Sequence, residues 1–389
     1  MRSPFARSQG CATHLGPAMT TPAQQLSDLL ASGLFSEDAA ERKRTRAALG
    51  SHADPAVAAF FTADKRSYHT IRVGPKLVKV AREFVALGAD GPRFALSLLK
   101  TFLAGSERYA YVLGEVLHVA LAFPGTETEA FELLSGEKEV YLPGPKKALP
   151  PGLSRLRSLE RLRIFEGTIK RADHIAELGQ IPQPIRLELW VKDVDLTLFD
   201  GASHNIRGLF LRGSYSNFSD ALPLRGWRHL EALNLEGTGV TDLRPLESLP
   251  LTELVLSETK VADLSPLASW PKLRWLGLRR IPAQDFSVLA GLTALEFLDL
   301  GFTSVRDLRL LQNLTALRSL ALWGTPVDSL EPLVGLPLQE LDLNYAPRPD
   351  LSPLIRIPTL ESVHLAGIPD DAPGLAALIA ARPDVTLHR

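Results

Sequence analysis

Apolar residues in the second half of the chain recur at a spacing that neither a single helix nor a single strand explains. Six segments open at Leu230, Leu251, Leu273, Leu295, Leu317 and Leu338, each 21 or 22 residues long with Leu at positions one, four and six. Alternation at four and six is the period-two signal of a short strand with one buried face. Val then stands at position eleven (Val240, Val261, Val305, Val327) and Asp at thirteen (Asp242, Asp263, Asp285, Asp307, Asp350). Leu follows, often with Pro-Leu two residues on, as in Pro245-Leu246, Pro266-Leu267, Pro332-Leu333 and Pro353-Leu354. Asp-Leu-x-Pro-Leu predicts a tight helical turn: Asp accepts from its orphan N–H groups, and Pro is tolerated at its start. A unit this short cannot bury its own apolar face, so it must stack on copies of itself.

Weaker copies extend the array. Val140-Tyr141-Leu142, Leu162 with Ile164, Leu187 with Leu189, and Leu209 with Leu211 precede the strong units, and Val363 with Leu365 and Val385 with Leu387 follow. The expectation is an α/β solenoid of about eleven turns and a terminal strand over 137–389, with a parallel sheet on its concave side. At about 4.8 Å per strand the ladder spans on the order of 50 Å. The run Gly374-Leu-Ala-Ala-Leu-Ile-Ala380 predicts a true helix that caps the open end.

LxxLxL followed by TxVxDLxPLxxL resembles the leucine-rich repeats of bacterial internalins and of a eukaryotic protein-phosphatase regulatory subunit, across residues 137–389. That resemblance implies a horseshoe, and a protein-binding role for its concave face. One position departs from the family's pattern. Where the family carries an Asn whose amide satisfies the adjoining turn, this chain has Thr238, Thr259, Thr303 and Thr325. A hydroxyl donates a single hydrogen bond, so a thinner ladder is expected.

Residues 20–135 lack the repeat and show helical spacing. Leu26, Leu29 and Leu30 share a face, and Ser36 precedes a charged helix as an N-cap. The segments 75–87, 92–104 and 107–122 then predict further helices, enough for an N-terminal all-α domain with its own core. Residues 1–19 read as unstructured or as a mis-assigned start, with Met19 an alternative first residue. Arg2 and Arg7 are followed by no apolar run of signal-peptide length. No segment approaches the ~20 apolar residues of a membrane span. A cytoplasmic location is therefore expected.

The single cysteine, Cys11, lies in that tail and can form no internal disulfide. With 43 basic and 44 acidic residues, the net charge of −1 gives no global case for nucleic acid. Arginine outnumbers lysine 31 to 12, which points to a GC-rich, bacterial genome. The nine histidines include no HExxH, no cysteine partners them for zinc, and no phosphate-cradling glycine loop or GxSxG elbow occurs. No metal, cofactor or catalytic residue is assigned. The recurrent Asp residues are expected to be turn caps, and the basic run Arg42-Lys43-Arg44-Thr45-Arg46 a solvated helix face.

The informative residues lie between the core leucines, at positions three, five and seven, which face outward on the concave side. They include Arg161, Arg163, Phe165, Arg186, Trp190, Phe210, Arg212, Trp275, Arg279, Phe297, Asp299, Trp323, Glu340 and Asp342. Three of the five tryptophans fall in this set, and Trp with Arg is the composition of binding hot spots. The plainer alternative is that large rings cover the pleat beside small residues such as Gly277 and Gly301. The first four strands are Arg-rich and the far end is acidic, a polarity that suits a polypeptide partner. The chain thus reads as a non-enzymatic protein-interaction module. The rival reading is an enzyme regulator or cryptic enzyme with activity in the helical domain.

Overall fold

The computed structural model describes residues 125–389, except 144–148, 166, 192, 212–217 and 348, together with scattered positions between 40 and 123. The chain divides into two compact units, residues 1–130 and 131–389, and the described elements belong almost wholly to the second. Cys11, the tail 1–19 and most of the helices expected over 20–135 lie outside the described residues. The helix α1 (Glu127–Leu133) precedes the first strand.

Fourteen strands follow: β1 (Glu139–Pro143), β2 (Arg161–Phe165), β3 (Thr168–Ile169), β4 (Ile185–Trp190), β5 (Asp193–Val194), β6 (Ile206–Leu211) and β7 (Ala232–Asn234), then β8 (Glu253–Val255), β9 (Trp275–Gly277), β10 (Phe297–Asp299), β11 (Ser319–Ala321), β12 (Glu340–Asp342), β13 (Ser362–His364) and β14 (Thr386–His388). β3 and β5 pair only with each other; the other twelve form one parallel sheet whose spatial order is the order of the chain. The register runs unbroken along the core row Val140, Leu162, Leu187, Leu209, Leu233, Leu254, Leu276, Leu298, Leu320, Leu341, Val363, Leu387. These are eleven turns and a terminal strand, at the positions the LxL pairs predicted. The architecture is a leucine-rich repeat solenoid.

Each turn but the last returns through a short 3-10 helix, as in Ser265–Ser269, Leu308–Leu311 and Ser352–Arg356. The Asp ahead of it behaves as predicted. Oδ1 of Asp242, Asp263, Asp285, Asp307 and Asp350 accepts the backbone N–H two residues on, at 2.9 Å every time. Pro245, Pro266, Pro332 and Pro353 occupy the first turn, where an N–H has no helical partner to lose. Beneath them Leu246, Leu267, Leu289, Leu311, Leu333 and Leu354 are fully buried. Burying such a side chain stabilises the fold by about 1.5–3 kcal/mol.

The Thr row makes the sparse ladder that one hydroxyl allows. Thr238, Thr259 and Thr303 each donate to a Leu carbonyl of their own turn, at 2.7, 2.6 and 2.7 Å. Thr325 reaches the preceding turn, donating to the Leu300 carbonyl at 2.8 Å. Further back-bonds come from residues the repeat pattern did not single out. The Asn205 amide donates to the Leu178 and Ile181 carbonyls, and the Arg382 guanidinium donates to those of Ile357 and Leu360.

Position eight of the repeat takes a left-handed backbone. Three units meet this with Gly237, Gly324 and Gly367, but four place Glu258, Arg280, Phe302 and Tyr345 there at φ 54 to 60°. A side chain in that region costs on the order of 1–2 kcal/mol, so the turn geometry overrides local preference. In the last unit a helix, α2 (Leu375–Ala381), replaces the tight turn and packs on the 3-10 helix Ser352–Arg356. The sequence predicted this exchange of tight turn for helix at Gly374–Ala380; β14 follows the helix and completes the last unit.

Candidate functional site: the concave face

Side chains at positions three, five and seven form three rows across the sheet. In the position-three row the order is Glu139, Arg161, Arg186, Gly208, Ala232, Glu253, Trp275, Phe297, Ser319, Glu340. Charges along it meet over long sequence distances. Arg186 forms a two-point pair with Glu253, at 2.7 and 3.1 Å, although β6 and β7 lie between their strands. The path is open because the intervening row residues are Gly208 and Ala232. A Cβ on Gly208 would stand 2.9 Å from Arg186 Cγ.

The first two arginines are held just as firmly. Arg161 and Arg163 bracket Glu188, a buried carboxylate, with Nε atoms at 3.3 and 2.9 Å. Neither Nε–H is aligned for a hydrogen bond to it, so these contacts are ion pairs. Arg161 also donates to Glu139, and Arg163 to the Tyr141 hydroxyl. Tyr141, Phe165 and Trp190 stack in sequence, with ring centroids 5.6 Å apart in both steps, and Trp190 is 45% exposed. Phe210 lies under the Arg186 guanidinium at 5.8 Å. Arg212 lies outside the described residues. The described arginines predicted to make this end positive, Arg161, Arg163 and Arg186, are thus paired with carboxylates of the same face.

Farther along the arrangement changes. Arg279 pairs with Glu236 at 2.5 Å and Glu258 at 3.1 Å. Trp323 lies across Gly301, whose added Cβ would collide with its Nε1 at 2.0 Å. Its ring packs edge-on against Phe302 at 4.8 Å and sits 5.5 Å from the Arg279 guanidinium, with its indole favouring the Asp299 charge. Trp323 is therefore a covered, half-buried ring, unlike the solvent-facing one expected. Trp275 does match expectation: it is 46% exposed and stacks on Phe297 with centroids 3.7 Å apart and planes 10° from parallel.

Beside that pair is an open depression of about 640 Å³, floored by Asn234, Val255, Ser257 and Gly277 and edged by Glu253, Trp275, Arg279, Phe297 and Asp299. In the position-five row Gly277, Asp299, Ala321 and Asp342 are successive neighbours. Asp299 accepts from the Gly301 N–H at 2.8 Å and Asp342 from the Asn344 N–H at 2.9 Å. Among the described residues neither forms an ion pair. Burial pushes the Asp299 carboxyl above the ordinary carboxylate range and the Asp342 charge adds to this, opposed by the Gly301 N–H, the Arg279 charge and the Trp323 indole. Glu340 has the His364 imidazole at 3.4 Å and the Ser319 hydroxyl at 3.2 Å.

Among the described residues no group of three or more His, Cys, Asp or Glu side chains is placed to hold a metal ion, and no helix is long and apolar enough to cross a membrane. The surface is open and mixed, with aromatic, charged and small residues side by side. No family model matches the sequence, and no curated protein matches it. Solved structures similar to it include an internalin of Listeria monocytogenes, 22% identical over 66% of this chain and 82% of that one, with a TM-score of 0.48. The Toll–Spatzle complex of Drosophila is 16% identical, over 68% of this chain and 42% of that one, with a TM-score of 0.45. A leucine-rich repeat protein of Leptospira interrogans is 15% identical, over 67% and 98%, with a TM-score of 0.35.

Proposed function

We propose that this chain is a non-enzymatic protein-interaction module of a bacterial cytoplasm, in which a helical domain over residues 20–135 accompanies a repeat domain over 137–389 that docks a polypeptide on its concave face. The observation that carries this reading is the Trp275–Phe297 stack. A tryptophan left 46% exposed beside an open depression forgoes burial that a partner would supply. Aromatic anchors of this kind contribute most of the energy in protein interfaces.

Affinity capture from native cells with mass spectrometry, run in parallel on wild type and Trp275→Ala, tests the reading. The variant should lose its specific partner by at least thirtyfold in affinity, about 2 kcal/mol, and keep the wild-type melting temperature. Glu247→Ala on the convex side should change neither. Retention of the same partner by Trp275→Ala would make the stack a surface filler. Reproducible multiple turnover by the purified chain, abolished by heat denaturation, would instead favour the enzyme reading.

A further inference from the structure

Charge on the concave face is balanced at one end and unbalanced at the other, and that asymmetry defines what the face can bind. Every described arginine of the three rows has its carboxylate: Arg161 and Arg163 have Glu139 and Glu188, Arg186 has Glu253, and Arg279 has Glu236 and Glu258. Asp299 and Asp342 form no ion pair among the described residues: each accepts one backbone N–H, the Arg279 charge acts on Asp299 without pairing with it, and His364 is the next residue of the row beyond Asp342. They flank Ala321 in one row, two strand spacings apart, on the order of 10 Å. Ala321 leaves the space between them empty of side chain. Trp275 and Phe297 stand in the neighbouring row and offer aromatic faces, which attract cations.

We propose that the occupant of this face is a basic segment of a partner polypeptide, with an arginine or lysine side chain seated over Ala321 between Asp299 and Asp342 and a neighbouring part of the segment lying on Trp275 and Phe297. This rests on the concave-face reading above and gives it a chemistry. A guanidinium hydrogen-bonded at about 2.9 Å on each side fits the gap and supplies the charge that both carboxylates lack. The described arginines at the other end are less suited to an acidic partner, since Arg161, Arg163 and Arg186 are already paired with carboxylates. A phosphate backbone would meet uncompensated negative charge here.

Fluorescence anisotropy with labelled, blocked twelve-residue peptides of one backbone sequence, carrying arginine, glutamine or glutamate at three spaced positions, tests this on the full-length chain. A single-stranded oligonucleotide of twelve nucleotides is the anionic polymer control. The arginine peptide should bind at least tenfold more tightly than the glutamine peptide, and the glutamate peptide and the oligonucleotide should not bind. Asp299→Asn and Asp342→Asn should each weaken the arginine peptide about tenfold without altering the melting temperature, while Trp275→Ala weakens all binding peptides alike. Equal binding of arginine and glutamine peptides, lost in Trp275→Ala, would overturn the basic-segment proposal and leave concave docking standing. Arginine-peptide binding that none of the three concave variants changes would overturn both, and so would tight binding of the oligonucleotide.

Discussion

The two halves of the concave face are built on one scaffold and use it in opposite ways. From β1 to β8 the outward charges close on themselves: Arg161 and Arg163 grip Glu188 and Arg186 crosses Gly208 and Ala232 to reach Glu253, while the Tyr141–Phe165–Trp190 stack ends on an exposed Trp190. From β9 to β12 the charge pairing stops at Arg279, a large aromatic stack lies open, and two carboxylates form no ion pair among the described residues. The core beneath is the same throughout. The first strands are longer and carry the small β3–β5 sheet, but the buried row is continuous while the size and charge of the outward residues change, so the inner and outer faces vary independently.

The largest effect should come from attacking what the halves share. Leu209 and Leu298 are both fully buried in the core row. Leu209→Asp and Leu298→Asp should each cost about 3–5 kcal/mol, because an unpaired charge is forced between two turns. Denaturant titration should show losses of similar size. A much milder loss in one half would mean that the scaffold is not uniform.

Rings and charges should then separate the halves. Trp323→Ala removes a ring that covers Gly301 and serves Asp299, and should cost about 2 kcal/mol by thermal or chemical unfolding. Trp275→Ala should cost less than about 0.5 kcal/mol. Glu188→Gln leaves Arg161 and Arg163 facing a neutral buried group and should destabilise by about 1–3 kcal/mol. Asp299→Asn removes a charge that burial disfavours, so stability should hold or rise slightly. Equal losses in the two acidic-to-amide variants would erase the distinction between balanced and unbalanced charge.

The smallest effect is in pH. Hydrogen bonds from the Arg244 side chain and backbone hold the Asp242 carboxyl at about 2, below its ordinary 3.8. A lowered native value means that its contribution is complete above pH 3.8 and is lost as pH falls toward 2. Asp263, Asp285, Asp307 and Asp350 are lowered in the same way, so they add to one acid-side decline. Asp299 is raised and has the opposite sign: its protonation on acidification favours the folded state. Urea midpoints measured from pH 6 to pH 2 should fall for wild type. Asp242→Asn should differ from wild type at pH 6 and converge with it near pH 2.

Much of the fold was legible because the repeat states each structural requirement many times. Leu298 has to be buried because it occupies the slot of Leu276 and Leu320, and Asp307 has to cap its turn because Asp263 and Asp285 stand where it does. The exposed aromatic Trp275 was also identifiable by position alone. Trp323 was not, since its position matches that of Arg279 and Trp190 while its environment depends on Gly301 in the adjoining turn and Asp299 beyond. The left-handed backbone at Phe302 and Tyr345 was equally hidden, because only three of the seven units announce it with glycine.

The sequence by itself determined the period, the register, the buried row and the capped turns, since these follow from contacts within a unit and between identical neighbours. Tertiary structure alone decided which outward groups meet. A side chain reaches across a strand spacing of about 4.8 Å, or several, only when the residues between are small. Arg186 therefore finds Glu253, 67 residues away, over Gly208 and Ala232. Asp299 and Asp342, with Ala321 between them, are held in the same row, and among the described residues neither forms an ion pair.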